Sequence, residues 1–158
     1  MRKFLLYTTC FFALSLLFSS CQEEVSRIPL RQVSIHIDLR SHDSDLRAPM
    51  QVKTFSNQTH IAGVAGVVVV NLNGEDFFAF DMACPDCVWV GGAVIEWQLT
   101  AQPMPEAFVC LQCGNRFNPL DGRPMRGGAQ SRYTLRQYQV TVQETDLGGN
   151  VLRLSVHN

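Results

Sequence analysis

Four cysteines carry the plainest chemistry in this sequence. Cys84 and Cys87 form one C-x-x-C pair, Cys110 and Cys113 another, and 22 residues separate the pairs. Each short loop can turn tightly enough for both sulfurs to face one point. Two such loops set back to back place four thiolates at the corners of a tetrahedron, a donor set that suits Zn²⁺, mononuclear iron or an iron–sulfur cluster. Pro85 stiffens the first loop. Gly114, directly after Cys113, permits the unusual backbone that turns N–H groups toward sulfur, and such donors stabilise the ionised, ligating thiolate. The plainer alternative is a pair of disulfides, since exported proteins keep paired cysteines oxidised. A thioredoxin-like redox pair would need a βαβ setting, and the pattern has none.

Other reactive side chains add little. His36, His42, His60 and His157 all lie at least 24 residues from the nearest of these cysteines, which reads as surface or core rather than ligation. Trp89 and Trp97 flank a Gly91-Gly92 turn after Cys87. Large aromatics there would exclude water from a metal loop, although core packing is the blander and favoured reading. Arg116, Arg123, Arg126 and Arg132 follow the second cysteine pair. They offer a basic face for an acidic redox partner, against the default of a solvated surface. No Ser–His–Asp set, carboxylate pair or phosphate-binding glycine loop stands out.

The elements that must position the thiols read as strands. Val33, Ile35 and Ile37 alternate with polar neighbours, the period-2 mark of a half-buried strand. Ser41 to Ala48 is polar and reads as a loop. Ile61 to Val70 is apolar and ends in four consecutive valines. Asn73-Gly74 marks a hairpin turn in which both central residues tolerate positive φ, and Phe77 to Phe80 returns the chain to Cys84. Val88 to Trp97, broken by two glycines, reads as a hairpin, and Gln98 to Ala107, with Pro103 and Pro105, as a loop. Tyr138, Val140 and Val142 alternate before Gly148-Gly149 turns into Leu152, Leu154 and Val156. Short strands at close spacing with no helical period predict an all-β sandwich or barrel. At 158 residues one domain is expected, 46% apolar content excludes a disordered chain, and a net charge of −1 excludes a nucleic-acid binder.

The first twenty residues read as an address. Arg2 and Lys3 precede a mostly apolar stretch, Phe4 to Phe18, too short for a membrane span of about 20 residues. Phe18-Ser19-Ser20-Cys21 resembles the bacterial lipobox, with phenylalanine in place of the commoner leucine. Residues 1–20 are therefore expected to be a lipoprotein signal peptide cleaved before Cys21, with Cys21 lipidated and residues 21–27 a tether. Gln22-Glu23-Glu24 resembles the acidic patch of surface-exported lipoproteins of Bacteroidetes, and equally a solvated tether. The expected location is the bacterial cell envelope, lipid-anchored to the outer membrane with the surface as a possible destination.

From Phe77 onward the order of residues resembles the Rieske iron–sulfur domain. A strand leads through Phe80-Asp81-Met82-Ala83 to Cys84. Then come Cys110-Leu111-Gln112-Cys113-Gly114-Asn115-Arg116-Phe117, Asn118-Pro119-Leu120-Asp121-Gly122, Gly127-Gly128-Ala129, and Leu135-Arg136-Gln137-Tyr138-Gln139-Val140. The likeness is closest to the Rieske-like lipoproteins of Bacteroidetes, whose amino-terminal stretch also matches Ile28-Pro29 and Val33 to Leu39. Two departures matter. Cys113 stands where the family's second ligand histidine would be, and Asp86 stands where its first would be, with Cys87 one residue on. The covering G-P-A loop also lacks its proline. The resemblance implies a Rieske-like antiparallel β sandwich or barrel over 28–158, with a small rubredoxin-like or zinc-ribbon-like metal-binding subdomain at about 81–128. It further implies a [2Fe–2S] cluster on Cys84, Cys87, Cys110 and Cys113 and electron transfer to a redox partner that the sequence does not identify. All-thiolate ligation would put the potential below that of a histidine-ligated centre. Zinc is the alternative cofactor: Arg2-Lys3 lacks a twin arginine, and zinc, unlike a cluster, is readily taken up after unfolded export. The chain then becomes an envelope binding or structural protein. Either way a carrier or binding module is expected rather than a stand-alone enzyme, since an oxygenase of this family needs a further catalytic domain.

Overall fold

The computed structural model describes residues 26–87, 89–90, 93–94, 99–100, 106–127 and 131–158. The leader, Cys21 and residues 22–25 lie outside these residues, whereas the last two residues of the expected tether are held on the domain: the Ser26 carbonyl accepts from Arg136, and Arg27 lies over the Tyr133 ring. The described chain is all-β apart from one turn of 3-10 helix, Ser44–Arg47.

Seven strands make one antiparallel sheet. They are β1 (Val33–Asp38), β2 (Gln51–Phe55), β3 (Ile61–Ala62), β4 (Val67–Asn71), β5 (Phe77–Asp81), β11 (Gln137–Thr145) and β12 (Val151–His157), in spatial order β2-β4-β5-β11-β12-β1-β3. The remaining short strands are β6 (Trp89–Val90), β7 (Ala93–Val94), β8 (Leu99–Thr100), β9 (Phe108–Cys110) and β10 (Arg116–Phe117). Laid flat, seven strands would hold β2 and β3 about 29 Å apart at a strand spacing of about 4.8 Å. Yet residues 56–60 join these two edge strands directly, and six Cα steps reach only about 20 Å. The sheet therefore curls until its edges approach. Asn57 ties the closure: its Oδ1 accepts from Ala62 N–H at 3.0 Å, and its Nδ2 donates to the Val64 carbonyl at 3.1 Å.

The four valines of β4 are all buried because both faces of that strand are covered. Val67 and Val69 face the barrel interior with Ile35, Ile37, Phe55, Leu154 and Val156. Val68 and Val70 face a second core with Phe80, Phe108, Phe117, Leu135 and the cysteines. β1 instead alternates buried and exposed, having only one covered face.

Several expectations need adjustment. Of Asn73 and Gly74 only Gly74 has positive φ, and the turn spans residues 72–76. It closes through Asn73, whose Oδ1 accepts from Glu75 N–H and Asp76 N–H, an Asx turn in place of a two-residue hairpin loop. Within the supposed loop 41–48, Leu46 is fully buried, and Asn71 Nδ2 holds that turn by donating to the Leu46 and Arg47 carbonyls. Within the supposed loop 98–107, Leu99 and Thr100 form β8, paired with Cys110 and Val109. β6 and β7 pair as the expected hairpin. Trp97 lies outside the described residues.

Candidate metal centre

β5 delivers the first cysteine loop. Its last residue, Asp81, is fully buried and accepts four hydrogen bonds. Val64 N–H and the Tyr138 hydroxyl donate to Oδ2, each at 2.7 Å, and Ala65 N–H (3.2 Å) and Ala83 N–H (2.8 Å) donate to Oδ1. One carboxylate thus fastens the residue before Cys84 to β11 and to the chain entering β4. Gly63 makes room for it: a Cβ there would come within 2.3 Å of Asp81 Oδ2 and 2.5 Å of the Tyr138 hydroxyl, and its φ is +68°. Burial raises the Tyr138 phenol far above its ordinary range, with the neighbouring Asp81 charge acting in the same direction. Nothing local in the sequence marks Asp81 as this anchor, because its partners lie up to 57 residues away.

The second loop joins β9 to β10. Cys110 N–H donates to the Asn115 carbonyl at 2.9 Å, and Gly114 N–H to the Cys110 carbonyl at 2.8 Å. Gly114 adopts φ +72° to do so, as the residue after Cys113 was expected to. The first loop closes in a tighter turn, where Cys87 N–H donates to the Cys84 carbonyl at 3.2 Å.

The two loops bring all four predicted ligands together. Every pair of sulfurs lies within 4.8 Å, with Cys84 Sγ and Cys113 Sγ 3.6 Å apart and Cys87 Sγ and Cys110 Sγ 3.8 Å apart. All four are free thiols, well beyond the S–S bond length of about 2.05 Å. A single ion with metal–sulfur bonds of about 2.3 Å in a tetrahedron requires sulfurs about 3.8 Å apart. The two cross-loop pairs match that spacing, so the donor set suits one tetrahedral ion. Among the described residues, no histidine joins this group.

Electrostatics point the same way. Burial pushes the Cys84 thiol far up, against backbone N–H bonds from Asp86 and Cys87 to its sulfur, and pushes Cys87 up to about 12. At Cys110 burial also acts upward, but N–H groups of Cys113 and Gln112 aimed at its sulfur outweigh it and hold the thiol below its ordinary value. The first cysteine of each loop is thus bracketed by two amide donors. A cation among the sulfurs would supply the compensation that burial denies to Cys84 and Cys87. Cys84, Cys87 and Cys110 are buried, Cys113 is half-buried, and the neighbouring Leu111 is 80% exposed. Of the four arginines, Arg116 is half-buried beside this loop, while Arg123, Arg126 and Arg132 are exposed.

No protein-family model matches the chain, and no curated protein matches it. Two solved structures are similar. One is a chain from the complex of reduced oxygenase and oxidized ferredoxin in carbazole 1,9a-dioxygenase, at 19% identity over 80% of this chain and 94% of that one, with a TM-score of 0.45. The other is the ferredoxin of carbazole 1,9a-dioxygenase from Nocardioides aromaticivorans IC177, at 17% identity over 82% and 96%, with a TM-score of 0.41. A likeness at this level does not reach the residues of the site, whose chemistry rests on the four sulfurs themselves.

Proposed function

We propose that this chain is an electron-transfer protein of Rieske-like architecture whose four cysteines hold iron. The observation that carries the reading is the convergence of four sulfurs within 4.8 Å on two loops packed over one core. The residue order from Phe77 to Val140, which resembles the Rieske domain, supports iron over other thiophilic metals. Electron transfer is supported by the half-buried Cys113 beside the exposed Leu111, which leaves one ligand near the surface where a partner can approach. Cys84, Cys87, Cys110 and Cys113 hold the metal, which supplies one-electron chemistry when bound. The chain's part is to bracket two sulfurs with amide donors and to exclude water with Phe80, Phe108 and Phe117. The spacing fits a single, rubredoxin-like iron. A [2Fe–2S] cluster, which the motif order implies, would divide the four thiolates between two irons and would need the two sulfur pairs further apart than 4.8 Å.

A second reading, structural zinc, draws on the same spacing, which matches Zn–S bonds as well as Fe–S bonds. The leader, residues 1–20, and Phe18-Ser19-Ser20-Cys21 support export, lipid attachment at Cys21 and anchoring in the bacterial outer membrane, with residues 21–27 as a tether. Protein made with its own leader decides among these. One iron per chain with a coloured, reversibly reducible centre supports the first reading. Two irons with acid-labile sulfide support the cluster. One zinc in colourless protein supports the second reading, and metal-free protein with two disulfides overturns all three. Loss of fatty-acid labelling in Cys21→Ser, with retention in the parent chain, tests the anchor.

A further inference from the structure

The two cysteine loops touch through more than their sulfurs. Asp86, between Cys84 and Cys87, accepts a hydrogen bond at 2.6 Å from Asn115 Nδ2, two residues after Cys113. Asn115 is 3% exposed. Its carbonyl already closes the second loop by accepting from Cys110 N–H, so its backbone is fixed and its side chain reaches across to the other loop. Its remaining side-chain atom, Oδ1, is buried with no hydrogen-bond partner among the described residues. A buried amide that leaves one atom unpaired loses about 1–3 kcal/mol. Asn115 is therefore poorly placed for stability alone, and the contact it does make is charge-assisted. The backbone of Asp86 is engaged as well, since its N–H donates to Cys84 Sγ.

We propose that Asp86 and Asn115 are positioning residues, a latch between the two loops that sets the sulfur spacing before any metal arrives. The proposal rests on the tetrathiolate reading above. Neither side chain belongs to the ligand set; each acts on the ligands through the turn it sits in. With the latch closed, the two bends form one preassembled cage. With it open, they can separate, because the 110–113 loop is carried by the short strands β8 to β10, which form a sheet of their own apart from the seven-stranded one that anchors Cys84.

The test uses reversal of the bond. Asn115→Ala removes the donor. Asn115→Asp places a carboxylate against a carboxylate and should open the loops further. Combining Asn115→Asp with Asp86→Asn restores the pair with donor and acceptor exchanged. In reduced, metal-free chain, thiol-reagent kinetics should quicken in Asn115→Ala, quicken more in Asn115→Asp, and return to within about threefold of the parent in the reversed pair. In zinc-loaded chain, release to a colorimetric chelator should quicken about 10–100-fold in Asn115→Ala, the usual scale for residues supporting metal ligands, and recover in the reversed pair. Thiol reactivity at the parent rate in Asn115→Ala, or a reversed pair no better than Asn115→Asp, overturns the latch. A parent chain that takes up no zinc or iron, while the thiol kinetics still follow the predicted order, overturns the metal reading and leaves the latch standing.

Discussion

Replacing Asp81 by asparagine tests how the barrel holds the first cysteine loop. The carboxylate is acceptor-only, and all four of its hydrogen bonds come from donors: Val64 N–H, Ala65 N–H, Ala83 N–H and the Tyr138 hydroxyl. An amide keeps one oxygen and puts an NH₂ group at the other position. If the NH₂ takes the Oδ1 place, it meets Ala65 N–H and Ala83 N–H, and both lose their acceptor. If it takes the Oδ2 place, Tyr138 can rotate to accept from it, but Val64 N–H and the Tyr138 proton are left without partners. Either way two buried donors are orphaned, at about 1–3 kcal/mol each, partly offset by relief from burying a charge. The expected net loss is about 2–4 kcal/mol. Tyr138→Phe removes only one of the four donors and should cost about 1–2 kcal/mol. Because the two variants share one bond, their effects should not add. Urea unfolding of reduced, metal-free protein is the assay, so that a ligand bound to the folded state does not mask the difference. An Asp81→Asn chain within about 0.5 kcal/mol of the parent, or a Tyr138→Phe chain less stable than Asp81→Asn, would refute the anchor.

Gly63→Ala should be among the more damaging small substitutions. Its Cβ would press into the Asp81 carboxylate and the Tyr138 hydroxyl at a positive φ, and a fall of at least about 2 kcal/mol on the same urea curve is expected. Metal affinity should fall steeply with acid. The raised Cys84 and Cys87 thiols are protonated in the metal-free chain at neutral pH, so binding displaces at least two protons. Apparent affinity should then drop by at least about 100-fold per pH unit in competition titrations between pH 7 and pH 5; a pH-independent constant would contradict thiol ligation. Cys113→Ser should lower metal content and thermal stability together, and unchanged values of both would remove Cys113 from the ligand set.

The ligands were legible because cysteine type and C-x-x-C spacing are local signals, and the loops that carry them close on themselves. β1 and the β11–β12 hairpin were legible for the same kind of reason, since one buried face leaves a period-2 trace along Val33–Ile37 and at Leu154 and Val156, although register shifts between Val142 and Thr145 break it, leaving Val142 exposed and Val151, not Leu152, buried. β2 left no such trace. Only Phe55 in it is fully buried, and the strand exists through its pairing with β4 from Gln51 to Phe55. β8 is likewise made by its partner β9, just ahead of Pro103 and Pro105, which suggested a loop. Asp81 and the Asp86–Asn115 contact were hidden for a sharper reason. Aspartate at a strand end or in a turn is commonplace, and the donors that give these two their roles lie 2 to 57 and 29 residues away.

X-ray absorption at the metal edge of the loaded protein addresses the four-sulfur cage most directly. The account predicts a single shell of four sulfurs at about 2.3 Å with no second metal nearby. A metal–metal vector would establish a cluster in place of one ion, and a shell dominated by oxygen or nitrogen would contradict ligation by Cys84, Cys87, Cys110 and Cys113.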